Sequence, residues 1–219
     1  SEMCIRDREG IGPALHWATD TRDPFDSAHD STECFGRYSN IADYFGVPGG
    51  YITERGRGKN MYEGAEREAV WVQNHQCLKN SLPICEYASA PFSFFHPPTM
   101  DIRIFESQVL SAITGRDIGV EELWQAGERI WTLRRAIMVL REDRRREDDT
   151  LSHVWFERIA DAPQTLAEPL DTAQWEAVKD RYYKLRGWDV KSGRPARVKL
   201  EQLGMRAVAD KLQSAGKLG

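Results

Sequence analysis

The 219-residue sequence lacks the features that mark several common classes of protein. No apolar run approaches the roughly 18 residues of a membrane-spanning helix, and no charged segment followed by an apolar one marks a secretory signal. A net charge of −4 and an isoelectric point near 5.8 leave no basic excess for a general nucleic-acid surface. No long apolar–polar alternation predicts β-strands, and no segment repeats. We therefore expect a globular protein with neither a nucleic-acid partner nor a membrane span.

Cysteines are few, and none has the C-x-x-C spacing of a zinc site or of a complete iron–sulfur site. The sequence contains four: Cys4, Cys34, Cys77 and Cys85. Their wide spacing favours a reducing, cytoplasmic location over a disulfide scaffold. Cys4 lies in residues 1–8, which begin without Met and resemble translated read-through of a sequencing adapter. We interpret 1–8 as a non-native leader and 9–219 as the protein itself.

Helical periodicity is present along most of the chain beyond residue 60. Residues 9–60 are rich in Gly, Asp, Thr and Pro, and they predict long loops with one short helix at 41–45. Further helices are predicted at about 60–79, 103–114, 120–141, 172–185 and 205–212. Asp171 or Thr172 is the expected N-cap of the fourth of these, and Gly187 its stop. The fold class predicted is all-α, multihelical, with long irregular loops in the N-terminal half.

The segment 120–141 gives the strongest helical pattern. Its apolar stripe comprises Val120, Leu123, Trp124, Gly127, Ile130, Trp131, Ile137 and Met138. A glycine inside a helix costs about 1 kcal/mol of propensity, so Gly127 indicates a close approach of a second helix. The charged run that follows, Arg144–Asp149, is interpreted as a solvated face or as a loop of ion pairs.

Five segments, in order along the chain, resemble the C-terminal region of the aldehyde ferredoxin oxidoreductase family. Asn80–Cys85 resembles the family's D-x-x-G-L-C segment, and residues 110–135 resemble its LL-A-TG-D-T-EELL-GERI-NL-R stretch. Residues 146–151, 182–189 and 203–204 are similar to R-x-DD-x-LP, YY-x-x-RGWD and the closing LGL. The resemblance covers about 14–212 and implies that the chain is truncated at its N-terminus.

This family consists of tungsten-pterin enzymes with a [4Fe-4S] cluster, and the resemblance implies a role for several residues. Cys85 corresponds to the fourth cluster ligand; the other three come from a C-x-x-C-x-x-x-C element that this chain lacks. Asn80 occupies the place of the motif Asp that hydrogen-bonds the pterin, and Ile84 and Glu86 would contact the pterin through their main chain. Read from the residues alone, Cys85 is a small buried apolar residue.

Residues 18–29 resemble a family loop of the form A-T-S…H, with a few extra residues here. The resemblance places His29 near the metal and substrate, where an imidazole suits proton transfer close to neutral pH. The alternative is a loop histidine hydrogen-bonded to Asp26 or Asp30.

The function implied is oxidation of a small aldehyde to its carboxylic acid at a tungsten bis-pterin centre. Electrons would leave through the [4Fe-4S] cluster to ferredoxin or a ferredoxin-like electron-transfer subunit, and the chain alone would be inactive. One alternative is a benzoyl-CoA reductase-like tungsten subunit acting on an aromatic CoA thioester, which the extended loop 21–29 favours. Another is a non-catalytic helical interaction module.

Overall fold

The computed structural model describes residues 11–21, 62–82, 102–157 and 169–219. These residues form seven α-helices: α1 (Ile11–Thr19), α2 (Ala65–Ser81), α3 (Ile102–Thr114), α4 (Val120–Glu142), α5 (Thr172–Arg186), α6 (Arg197–Gln202) and α7 (Arg206–Ser214). Two short 3-10 turns follow α4, at Arg146–Asp148 and His153–Trp155. Their β structure is one isolated bridge between Trp188 and Pro195.

The all-α prediction is confirmed for these residues. The loops expected within 22–61, with the helix at 41–45, lie outside the described residues. Within the described ranges, no helix is long and apolar enough to cross a membrane.

Helix α1 corrects the expectation that residues 9–40 form only loops. Ile11, Ala14, Leu15 and Ala18 are buried and recur at helical spacing along one face. Pro13 lies in the first turn, where the absent N–H removes no helical hydrogen bond. The Gly-Pro pair therefore lies within the first turn of α1 and does not prevent the helix from forming.

Helix α2 is the centre of the fold, and α1, α4 and α5 all pack on it. It is buried on nearly every side, although its sequence is polar. Its buried polar side chains are Glu66, Glu68, Gln73, Asn74, His75, Gln76 and Lys79. Burying polar groups is unfavourable unless they find hydrogen-bond partners. The position of α2 therefore depends on polar contacts as well as on apolar packing.

The buried face of α4 differs from the predicted stripe in its second half. Leu123, Gly127 and Trp131 are buried as expected, but Ile137 is 43% exposed. The buried face continues instead through Thr132, Arg135, Ala136 and Val139. Ile137 was misassigned because Arg135, a residue that pattern rules place outside, is held inside by a buried carboxylate.

Gly127 marks the crossing of α4 over α2, as its position in the stripe predicts. A Cβ built on Gly127 would lie 2.5 Å from the Asn74 carbonyl oxygen and 3.0 Å from Leu78 Cγ. Neither the helix backbone nor the buried leucine can move away cheaply in a close-packed interior. Only glycine permits this approach of the two helices.

The C-terminal helices add a second apolar cluster to α4. Leu200, Leu203 and Leu212 pack against Ala136 and Val139 of α4. The predicted cap of α5 is confirmed, since Asp171 Oδ1 accepts a 2.8 Å hydrogen bond from the Gln174 N–H. Gly187 ends α5 with φ of +66°, a conformation that glycine adopts without strain.

We expect Gly127→Ala to destabilise the protein by about 2 kcal/mol, because overpacking outweighs the gain in helix propensity. Chemical denaturation followed by circular dichroism measures the change. Gly119→Ala is the matched control, since a Cβ there meets nothing within 4 Å. Equal stability of the two variants would contradict the close approach at Gly127.

Candidate functional site

Of the residues that the sequence singles out for chemistry, the structure describes Asn80. It lies in the last turn of α2, and its side chain is exposed. His29, Ile84, Cys85 and Glu86 lie outside the described residues. Within the described ranges, no group of three or more His, Cys, Asp or Glu residues could hold a metal ion.

Helices α1 and α2 lie side by side and run in the same direction. Gly12 approaches the Glu68 side chain early in both helices. Further along, Thr19 Oγ1 accepts a 2.9 Å hydrogen bond from Gln73 Nε2. Because the contacts advance in the same order, both C-terminal ends point to one side of the protein. The chain segments that lead to His29 and Cys85 therefore begin at the same end of this helix pair.

Arg134 of α4 contacts residues at the end of α1 and on α2 at once. Its Nη2 donates to Asp20 Oδ1 at 2.8 Å, and its Nε donates to Thr21 Oγ1 at 2.7 Å. Its Nη1 lies 3.9 Å from Cys77 Sγ of α2, and its guanidinium lies over the Trp131 ring, 4.8 Å from the centroid. We refer to these five residues as the Arg134 cluster.

Asp20 is the buried anion of the Arg134 cluster, with a side chain that is 0% exposed. Its Oδ1 also accepts a 2.6 Å hydrogen bond from the Thr21 N–H, and its Oδ2 lies 3.2 Å from His16 Nε2. A buried carboxylate requires such pairing and hydrogen bonding. The cluster therefore fixes the backbone at the point where it leaves α1.

A second arginine reaches the same end of α1. Arg144 Nη2 donates to the Ala18 carbonyl oxygen at 2.9 Å. Cations near a helix C-terminus interact favourably with the helix dipole. The C-terminal end of α1 is thus held by two guanidinium groups.

Cys77 is a buried free thiol of the Arg134 cluster. Burial raises the pKa of the Cys77 thiol, and the charge and hydrogen bond of Arg134 offset this only in part. A protonated, enclosed thiol is a poor nucleophile and a poor metal ligand. Cys77 therefore packs as a small apolar residue.

A buried amide network joins α2 to α4 and α5. Arg186 Nη1 donates to Asn74 Oδ1 at 2.6 Å, and its Nη2 donates to Gln73 Oε1 at 2.5 Å. Tyr182 OH also donates to Gln73 Oε1, at 2.8 Å, and accepts from Trp131 Nε1 at 3.1 Å. Arg186 is fully buried and lies over the rings of Trp131 and Tyr182. Side chains from three helices are thereby joined by direct hydrogen bonds.

A second buried pair joins α2 to α3. His75 Nε2 lies 2.7 Å from Glu106 Oε1, with side chains 1% and 3% exposed. The His75 ring also packs against Trp71, with centroids 4.7 Å apart. This pair fixes α3 to the half of α2 that contains Asn80.

Asp149 is the buried acceptor of the charged run after α4. Its Oδ1 accepts from Arg135 Nη1 at 2.7 Å and from Arg144 Nε at 2.9 Å, and its Oδ2 accepts from Tyr183 OH at 2.6 Å. The interpretation of Arg144–Asp149 as a loop of ion pairs is confirmed at Asp149, which is 0% exposed. Arg135, Asp149 and Tyr183 all lie in segments that carry the family resemblance. Their contacts give those segments a structural role.

Burial and the charge of Asp149 oppose each other in their effect on the pKa of Arg135 and act together on the pKa of Tyr183. Burial acts to lower the pKa of Arg135, but the charge and hydrogen bond of Asp149 outweigh it and hold the pKa above its usual value. Burial, followed by the charge of Asp149, raises the pKa of Tyr183. Arg135 therefore stays charged and Tyr183 stays a hydrogen-bond donor at all physiological pH values.

The comparisons with known proteins define the class of this chain. It is a multihelical region of an oxidoreductase family: residues 5–205 match aldehyde ferredoxin oxidoreductase, domains 2 and 3. The chain belongs to the aldehyde ferredoxin oxidoreductase family.

A solved structure has a similar fold. It is the active-site complex BamBC of benzoyl coenzyme A reductase in complex with 1,5-dienoyl-CoA, with a TM-score of 0.58 and 24% sequence identity. The match covers 82% of this chain and 26% of that chain. The protein described here thus spans about a quarter of the length of that structural relative.

Sequence reasoning missed the Arg134 cluster. Asp20 appeared only as part of a loop pattern, and Arg134 only as part of a helical stretch. The two residues are 114 positions apart, so no periodicity links them. The sequence signal that could have revealed the cluster is Arg134 itself, because it occupies one of the apolar positions of α4. An arginine that faces inward there requires an acidic partner.

We expect Asp149→Asn to destabilise the protein by roughly 3–5 kcal/mol, because Arg135 would remain buried without a carboxylate. Urea unfolding measures this loss. The neighbouring exposed residue provides the control, since Glu147→Gln should change stability by about 0.5 kcal/mol or less. Similar stabilities for both variants would show that Asp149 does not hold the fold together.

Proposed function

We propose that this chain is the C-terminal helical part of a tungstopterin oxidoreductase that oxidises aldehydes to carboxylic acids. An aldehyde and water would yield the acid, two protons and two electrons. The electrons would leave through a [4Fe-4S] cluster to ferredoxin or a ferredoxin-like electron-transfer subunit. The observation that carries this proposal is the family match over 5–205.

The described geometry supports the proposal at one point. The segments that lead to His29 and Cys85 start from the same end of the α1–α2 pair, beside the Arg134 cluster. A proton-handling residue and a cluster ligand are useful to one enzyme only if they serve the same centre. The common starting point of the two segments supports their convergence on one region of the protein.

Each residue has a defined part in the proposal. Cys85 supplies one thiolate to the cluster, with three ligands from outside this chain. Asn80 offers an exposed amide that can donate to or accept from a pterin, and Ile84 and Glu86 offer main-chain groups. His29 takes up the proton released from substrate. When bound, the tungstopterin supplies the two-electron chemistry.

The second candidate is a benzoyl-CoA reductase-like subunit acting on an aromatic CoA thioester. The fold likeness to the benzoyl coenzyme A reductase complex favours it. The extended segment 21–29, which departs from the aldehyde-oxidising pattern, also favours it. Substrate preference separates the two candidates.

We expect Cys85→Ala, made in the whole enzyme, to abolish the [4Fe-4S] absorption and electron paramagnetic resonance signals, because one of the four thiolates is lost. Cys77→Ala is the matched control and should keep the cluster, since Cys77 is a protonated buried thiol. Iron content per protein gives an independent measure. An intact cluster in the Cys85 variant would refute the ligand assignment.

We expect the purified enzyme to reduce oxidised viologen when an aldehyde is added, and not when a cyclic dienoyl-CoA is added. This difference between the two compounds is expected because the first candidate draws its electrons from aldehyde oxidation. The rate of viologen colour formation with each compound is the measurement. Viologen reduction with the dienoyl-CoA but not with the aldehyde would favour the second candidate over the first. Viologen reduction with neither compound would contradict both candidates.

A further inference from the structure

The Asp20–Arg134 ion pair joins two residues that the family patterns quoted above do not specify. Asp20 occupies the position of Ser in the loop pattern A-T-S…H. Arg134 occupies an unspecified position of the GERI-NL-R pattern, between Leu133 and the motif residue Arg135. These two residues contact each other across 114 positions.

The neighbouring arginines of α4 pair with different carboxylates. Arg135 pairs with Asp149, which holds the charged run after α4. Arg134 instead pairs with Asp20 at the end of α1. Arg135 therefore anchors the charged run, while Arg134 holds Asp20 and Thr21 at the end of α1.

The geometry of the pair fixes a backbone position. Asp20 Oδ1 receives the guanidinium of Arg134 and the N–H of Thr21, at 2.8 and 2.6 Å. Arg134 Nε in turn donates to Thr21 Oγ1 at 2.7 Å. Thr21 is thus held through both its main chain and its side chain. Hydrogen bonds to charged groups contribute more than neutral ones.

The same guanidinium contacts α2. Its Nη1 lies 3.9 Å from Cys77 Sγ, four residues before Ser81 at the end of that helix. Its position over Trp131 restricts its own movement. Arg134 therefore relates the end of α1 to α2 through one rigid planar group.

We propose that Arg134 is a positioning residue of the redox site, acting through Asp20 and Thr21 to set the direction in which the chain leaves α1. This inference rests on the function proposed above. It deepens that function because it assigns the Asp20–Arg134 pair a part in setting the geometry of the site.

The test compares Arg134→Gln, Arg134→Lys and wild type in the whole enzyme. Hydrogen–deuterium exchange at the Thr21 amide should become roughly tenfold faster in Arg134→Gln, as expected for loss of a charge-assisted contact. The kcat per intact cluster with aldehyde and viologen should fall roughly 10- to 100-fold, with KM changed by less than about threefold. Arg134→Lys should recover part of kcat, since an ammonium can reach Asp20 but cannot also hold Thr21 and Cys77.

Arg141→Gln is the control, since Arg141 is an exposed arginine of the same helix. It should leave Thr21 exchange and kcat per cluster unchanged. A purely structural role for Arg134 predicts fewer folded, cluster-loaded molecules with normal kcat per cluster, and that result would overturn the inference. Unchanged Thr21 exchange in Arg134→Gln would also overturn it.

Failure of the proposed function gives a different result. Wild-type enzyme would then fail to reduce viologen with every aldehyde tested. Thr21 exchange in Arg134→Gln would still decide whether Arg134 holds the end of α1, with faster exchange supporting that role and unchanged exchange excluding it.

Discussion

The fold depends on satisfying the buried polar side chains of α2. A helix enclosed by three others normally presents apolar residues in every direction. In α2, by contrast, Gln73 and Asn74 are completely or almost completely enclosed. Gln73 receives hydrogen bonds from Arg186 and Tyr182 and donates one to Thr19. Each bond contributes modestly, but leaving any of these groups unsatisfied would cost about 1–3 kcal/mol. The polar network therefore fixes which residues of the surrounding helices face α2.

This constraint also fixes where the two chain segments that lead to the candidate site begin. Because Gln73 bonds to Thr19, the last turn of α1 is aligned with the middle of α2. Arg134 extends the same alignment to Asp20 and Thr21. The two chain segments that carry the candidate proton-handling and cluster-binding residues consequently start from one rigid end of a helix pair. The end of α1 and the packing of α2 thus depend on a single network of buried charges and amides.

Much of the fold was predictable from the sequence, and the errors have physical causes. The helices α2 to α5 and α7 follow from periodicity and caps, and Gly127 indicated the closest helix crossing. The pattern failed at Ile137, because the buried Arg135 displaces the apolar face. It failed at α1, because the Gly, Asp, Thr and Pro content of residues 9–60 as a whole predicted loops and masked the short apolar face of this helix. The Asp20–Arg134 pair was beyond sequence reasoning, since local rules do not encode contacts between distant segments.

The central claim is that this chain contributes Cys85 to an iron–sulfur cluster beside a tungsten centre. Anomalous diffraction from crystals of the whole enzyme, recorded at the iron and tungsten absorption edges, tests it most directly. The account predicts iron density bonded to Cys85 Sγ and a separate tungsten peak on the side of the protein where α1 and α2 end. Iron bound elsewhere, with Cys85 Sγ in apolar contact only, would contradict it.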